Sequence, residues 1–342
     1  MGSQPIIRCQ SVDKTFRVYH RKEGLRGILS NFLHREFVDV NALQGIDLEI
    51  EAGEFVGLIG TNGAGKTTLV KCLTGIVPVS AGRASLFGQD SFHLRDEHKR
   101  KLSLVMGQRS QLWWDLPPID SFKLLREIYE VEAAVFAERV ETYARRLQVT
   151  RQLTVQLRQL SLGQRMKMEI IGAFLHDPTV VFLDEPTIGL DLVSRETIRS
   201  FLREINRERS ATIVLTSHDM EDIEETCKRL LILEDGKMLF DGDLVELQRS
   251  IVDERAIEVH LVPGSREWTE ELDAELLPFG ARVVKTAPLS LTLLVPSARS
   301  QDLIKRLLDL LEVRDLNVER RPLEQLIREI FEGGRRIAER EA

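Results

Sequence analysis

The stretch Gly60-Thr61-Asn62-Gly63-Ala64-Gly65-Lys66-Thr67-Thr68 fits the pattern GxxxxGK[ST] and constrains the chain more than any other segment. It follows Phe55 to Ile59, apolar without polar alternation, the mark of a strand buried on both faces of a parallel sheet. It precedes Leu69, Val70, Cys72 and Leu73, whose spacing begins a helix. In that setting the glycines let backbone N–H groups turn inward around a β-phosphate, and the helix N-terminus adds partial positive charge. Lys66 would bridge the β- and γ-phosphates, and the Thr67 hydroxyl would ligate magnesium. The plain structural alternative is a glycine turn capping a helix beside a surface lysine. The flanking strand and helix favour a nucleoside triphosphate site.

Two further buried runs, Val180 to Leu183 and Ile213 to Leu215, are each separated from the next by helical sequence, which predicts an α/β fold with a layered core. Ala42 to Ile50 alternates, with Ile46, Leu48 and Ile50 on one face, as in a half-exposed strand. The Val180 run ends in Asp184 and Glu185, at the edge where α/β sheets bind ligands. Asp184 would hold magnesium through water, and Glu185 would polarise an attacking water. Solvation or helix capping is the ordinary fate of such strand-end acids, but coupling to the phosphate loop favours the site. Leu215-Thr216-Ser217-His218 places an imidazole at an equivalent edge, within reach of a γ-phosphate. The acid-rich run Glu221 to Glu225 reads as a solvated helix start.

A length of 342 residues allows two domains, the first spanning 1–245 and the second 246–342. With a formal net charge of −7, the chain has no global attraction to phosphate polymers, so no nucleic-acid partner is expected. Cys9, Cys72 and Cys227 form no CxxC pair, which points to a reducing compartment rather than a disulfide or zinc framework. No run approaches the ~18 apolar residues that span a bilayer. In the second domain, strands at Ile257–Val262, Ala281–Val284, Leu289–Val295 and Leu316–Arg320 would enclose helices at Trp268–Leu277 and Asp302–Leu311. That βαββαβ order predicts a small α+β ferredoxin-like module. A last helix is expected over Leu323–Phe331.

Leu160-Ser161-Leu162-Gly163-Gln164-Arg165, upstream of the Asp184 strand, resembles the LSGGQ signature of ABC transporter ATPases. The same residues read locally as a Ser161 N-cap before a helix, and both readings can hold together. The resemblance covers about residues 5 to 245. It implies an ABC-type phosphate-loop ATPase domain with an antiparallel β subdomain and a helical subdomain at about 112–165. It further implies that Gln108 touches magnesium, that Gly189-Leu190-Asp191 is the D-loop, and that His218 is the switch histidine. Ser161, Gly163 and Gln164 would contact ATP held by a second copy of the chain. Leu162 departs from the usual glycine, which puts close backbone approach there in question. Phe16 best matches the aromatic that stacks on adenine, with Tyr19 beside it and plain core packing as the alternative.

Residues 20–37 form an insertion relative to a compact ABC ATPase. Leu25, Ile28, Leu29, Phe32 and Leu33 fall at helical spacing beside Arg21, Lys22, Arg26 and Arg35, which predicts an amphipathic helix. Its stripe would pack on its own domain or on a membrane partner. Similar inserts in ATPases of ABC-2-type exporters favour the partner, as does the resemblance of the Trp113-Trp114 stretch to a bacterial export group. The implied assembly is a homodimer on the cytoplasmic face of the membrane, driving a separate ABC-2-type permease. A non-transport ABC ATPase acting on ribosomes or nucleic acid is the competing reading. One phosphate loop, one signature and no sustained heptads between Lys66 and Arg158 weigh against it.

Overall fold

The computed structural model describes residues 4–19, 37–107, 110–250, 254–264, 274–320 and 327. The chain divides into two compact units, Met1–Gly242 and Asp243–Ala342.

In the first unit, β1 (Ile7–Tyr19), β2 (Phe37–Ile50), β4 (Ala81–Leu86) and β5 (Gln89–Asp90) form an antiparallel sheet in the order β2-β1-β4-β5. Alternation along β2 buries Ile46, Leu48 and Ile50 as expected, but the strand starts at Phe37 rather than Ala42. Residues 37–41 are exposed and so carry no burial period. They extend the ladder through the pairs Val40 with Phe16 and Val38 with Val18, β-branched and aromatic side chains that suit a pleated surface. The predicted amphipathic helix over 20–37 otherwise lies outside the described residues.

The second sheet has the order β10-β9-β3-β8-β7-β6. Its strands are β3 (Phe55–Gly60), β6 (Leu102–Met106), β7 (Val180–Asp184), β8 (Thr212–Thr216), β9 (Arg229–Glu234) and β10 (Lys237–Asp243). From β9 through β6 the neighbours are parallel, and β3, β7 and β8 are buried along almost their whole length. This is why their sequences are continuous apolar runs: neither face of these strands meets solvent. Helix α1 (Lys66–Leu73) follows β3 and inserts Leu69, Val70, Cys72 and Leu73 into a core shared with the antiparallel sheet. Between β6 and β7 lie α3 (Pro118–Tyr129), α4 (Ala133–Arg146) and α5 (Leu162–Phe174), with a short α2 (Asp96–Lys99) before β6. Trp113 and Trp114 both stand about half-exposed beside α3, at 50% and 49%, so neither is a core residue. The Arg165 guanidinium lies over the Trp114 ring at 4.8 Å.

After α6 (Leu192–Arg209), α7 (Met220–Thr226) and α8 (Leu244–Ser250), the second unit orders its strands β12-β13-β11-β14. These are β11 (Glu254–Leu261), β12 (Arg282–Ala287), β13 (Ser290–Pro296) and β14 (Val313–Arg320), all paired antiparallel. Helix α9 (Ser300–Leu310) buries Leu303 and Leu307 against Ile257, Val259, Leu291 and Leu293. Residues 268–273 of the predicted helix Trp268–Leu277, and all of the predicted last helix except Ile327, are outside the described residues; the end of the former is not α-helix but a turn at 274–276 that runs into a 3-10 helix, Leu277–Phe279, where Pro278 and Gly280 stop regular helix.

Candidate active site

Strands β3, β8 and β7 lie side by side and parallel, so the segments leaving their carboxyl ends converge on one edge of the sheet. The phosphate loop leaves β3 there and turns into α1 at Gly65. Gly65 has φ +106°, and a Cβ on it would sit 2.5 Å from the Ala42 carbonyl, so only glycine fits. Lys66 is buried and donates through Nζ to the carbonyls of Gly60 at 2.7 Å and Thr61 at 3.2 Å. Burial pushes its ammonium below the ordinary lysine value, while the nearby Glu185 and Asp184 carboxylates pull it back. Ala64 packs into the core beneath the loop, and Thr61, Asn62 and Gly63 are exposed at its tip.

The Thr67 hydroxyl donates to Asp184 Oδ2 at 3.0 Å, and the Thr216 hydroxyl donates to Asp184 Oδ1 at 2.7 Å. Thr68 continues the first turn of α1. Glu185, which follows Asp184, has φ +55°, a left-handed conformation that costs a non-glycine side chain energy. Its N–H is held by both the backbone oxygen (3.1 Å) and the hydroxyl (3.0 Å) of Thr216. This turns its carboxylate onto His218, with Oε1 2.5 Å from Nε2. Lys66, Thr67, Asp184, Glu185 and His218 are thus drawn together at the sheet edge. Gly107 at the end of β6 joins them, its N–H on the Asp184 carbonyl at 2.8 Å, whereas Gln108 lies outside the described residues.

A second cluster is built on α5. Ser161 caps it through a reciprocal pair: Gln164 N–H donates to Ser161 Oγ at 3.3 Å, and Ser161 N–H donates to Gln164 Oε1 at 3.1 Å. Asp191 caps α6 without a reciprocal bond, its carboxylate accepting from the Ser194 N–H and hydroxyl, both at 2.8 Å. Gly163 lets the two helix starts touch, because a Cβ there would lie 2.6 Å from Ser194 Oγ. Leu162 is about half-exposed, with its Cδ2 3.3 Å from where a Cβ on Gly189 would stand, and Ile188, Leu192 and Val193 are exposed apolar side chains on the segment that leads into α6. Among the described residues no hydrogen bond joins this cluster to the phosphate loop. Phe16 is half-buried on β1 opposite Val40, with the Lys14 ammonium 4.8 Å from its ring centre.

Two acids were not legible as structural anchors. Glu169, on α5, accepts from Ser110 Oγ and from the N–H groups of Gln111 and Leu112, so it fastens the segment just after Gln108 to the helix that Ser161 caps. Burial raises its carboxyl despite those bonds. The signal was a lone acid within the apolar run Met166 to Phe174. Asp222 overturns the reading of 221–225 as a uniformly solvated helix start: it is fully buried, and Arg199 Nε donates to it at 2.7 Å.

Residues 43–188 match the family model described as ABC transporter. The chain is 29% identical over 211 residues to the ABC transporter ATP-binding protein NatA of Bacillus subtilis, covering 62% of this chain and 85% of that one. It is 32% identical over 220 residues to the probable sulfate/thiosulfate import ATP-binding protein CysA of Chlorella vulgaris, covering 64% and 92%. A dimeric ATP-binding cassette in a post-hydrolysis state bound to ADP and Pi has a similar fold, with TM-score 0.58, 24% identity, and 70% and 98% of the two chains covered.

Proposed function

The chain belongs to the ATP-binding proteins of ABC transporters and is an ATPase of that family, and from this premise we propose that two copies close around two ATP molecules to power export through a separate ABC-2-type permease. The carrying observation is the contact of Glu185 with His218 beside the phosphate loop, at one edge of three parallel strands.

In this reading the loop amides from Gly60 to Thr68 and the Lys66 ammonium bind the phosphates, and Phe16 stacks on adenine. Thr67 and Asp184 present adjoining oxygens, a donor set that suits magnesium, which prefers one or two carboxylates plus substrate phosphates; Gln108 would complete it. Magnesium, when bound, neutralises charge on the phosphate oxygens. Glu185 accepts a hydrogen bond from water and aims it at the γ-phosphorus; the bond to ADP breaks as the new P–O bond forms. His218 fixes the Glu185 carboxylate and reaches the γ-phosphate. Ser161, Gly163 and Gln164 of the second copy donate to the same phosphate, and Asp191 holds them in place. Loss of these charge-assisted bonds, about 1.5–3 kcal/mol each, separates the copies after hydrolysis.

Export rests on the insertion over 20–37 and on the half-exposed Trp113-Trp114 pair, both suited to a membrane subunit at the cytoplasmic face. Among the described residues no helix is long and apolar enough to cross a membrane. For the C-terminal domain, 246–342, the order β12-β13-β11-β14 supports a ferredoxin-like accessory module serving dimer contact or regulation. Deleting residues 21–36 should leave ATP hydrolysis intact and abolish ATP-driven efflux by cells carrying the permease. Unchanged efflux, or ATP-driven uptake, would overturn the export assignment.

A further inference from the structure

The buried carboxylate of Asp222 lies on α7, one turn beyond His218, and three elements converge on it. Arg199 Nε on α6 donates to Oδ1 at 2.7 Å, Ser217 Oγ at the end of β8 donates to Oδ2 at 2.8 Å, and the Thr187 hydroxyl, two residues past Glu185, donates to the same Oδ2. Asp222 is fully buried, Thr187 and Ser217 nearly so, and Arg199 is 4% exposed, so none of these bonds competes with water. One helical turn before Arg199, Arg195 pairs with Asp219, the neighbour of His218, and donates through Nε to the Leu190 carbonyl at 3.0 Å. Two arginines at i and i+4 on α6 therefore grip the His218 turn, while the first turn of the same helix is capped by Asp191.

We infer that Asp222 is a positioning residue: it ties the segments that carry Glu185 and His218 to each other and to α6, so that the His218 and Glu185 side chains meet only when the Asp191 end of α6 is in place. The inference rests on the proposed roles of Glu185 and His218. Asp222 touches neither of them and would act only through Thr187 and Ser217. A buried acid with three donors holds a fixed geometry well, and removing one partner leaves the others unpaired. Placement errors near 1 Å cost rate, because the attacking water must be in line.

The test compares steady-state ATP hydrolysis by the full chain across four variants. Thr187→Val keeps the shape but removes one donor, and should lower kcat at least fivefold with KM for ATP unchanged within twofold; Thr187→Ser, which restores the hydroxyl, should recover most of the rate. Asp222→Asn paired with Arg199→Met removes the buried charge pair without leaving either charge unpaired, and should still lose at least tenfold in kcat while unfolding at a temperature near that of the parent. Full kcat in that double variant, or equal losses in Thr187→Val and Thr187→Ser, would overturn the inference. Glu185→Gln, run alongside, separates the two failures: if it hydrolyses normally, the underlying catalytic assignment fails, whereas an inactive Glu185→Gln beside a fully active double variant sinks only the role of Asp222.

Discussion

The sheet edge and the start of α5 are both capped, turned and hydrogen-bonded, yet they differ in what remains for a partner. At the sheet edge, Thr67, Asp184, Glu185, Thr216 and His218 satisfy one another within one chain, and the Glu185 backbone is held in a left-handed conformation. At the start of α5, Ser161 and Gln164 spend their local bonds on capping, and the surrounding Leu162, Ile188, Leu192 and Val193 face outward. The first region is closed on itself by its own hydrogen bonds, whereas the second leaves exposed apolar side chains of the kind another molecule can cover. On the proposed pairing of copies, these unlike regions are the two halves of one shared site, and their difference teaches what each would contribute to it.

Glu185→Gln should separate the halves most sharply. Turnover should fall about 100-fold or more, as loss of a general base does, while ATP binding and nucleotide-driven association persist; phosphate release and nucleotide titration measure the two. Normal turnover would remove the chemical role from the sheet edge. The glycines give the next effect. Gly65→Ala forces a Cβ against the Ala42 backbone carbonyl at a positive φ and should cost about 2–3 kcal/mol in thermal unfolding, with loss of nucleotide binding. Gly163→Ala meets side chains rather than backbone: Ser194 Oγ can rotate from 2.6 Å and Ser194 Cβ at 3.0 Å needs only a small shift, so it should cost about 1 kcal/mol, with nucleotide binding by the single chain retained. Equal costs would mean that α5 and α6 are locked as tightly as the loop. The smallest change in stability should follow Leu192→Ser with Val193→Ser, at 75% and 70% exposed: within about 0.5 kcal/mol, because these side chains bury little, but with weakened association seen by sedimentation. Unaltered association would take those side chains out of the interface.

How far the sequence was legible follows the same division. Strands buried on both faces announce themselves as apolar runs, so Phe55 to Ile59, Val180 to Leu183 and Ile213 to Leu215 were readable, as were the polar residues at their ends. The Ser161 cap was readable because capping is local. The start of β2 at Phe37 was hidden because exposed strand residues have no burial period. Asp222 was hidden among neighbouring acids because its partner, Arg199, is distant in sequence and only the packing of α6 on α7 brings them together. For Leu162, the neighbour that its side chain approaches, Gly189, is distant in sequence, so its surroundings were not readable from the motif.

Cysteine crosslinking tests the pairing most directly, because the native thiols are out of play: Cys9, Cys72 and Cys227 are buried, and burial pushes Cys9 and Cys227 up to about 12. In a Glu185→Gln background, Asn62→Cys on the exposed loop tip and Ser161→Cys at the start of α5 should form an interchain disulfide when ATP is added, with little in its absence. ATP bound stoichiometrically to chains that sediment as monomers and never crosslink would contradict the shared site.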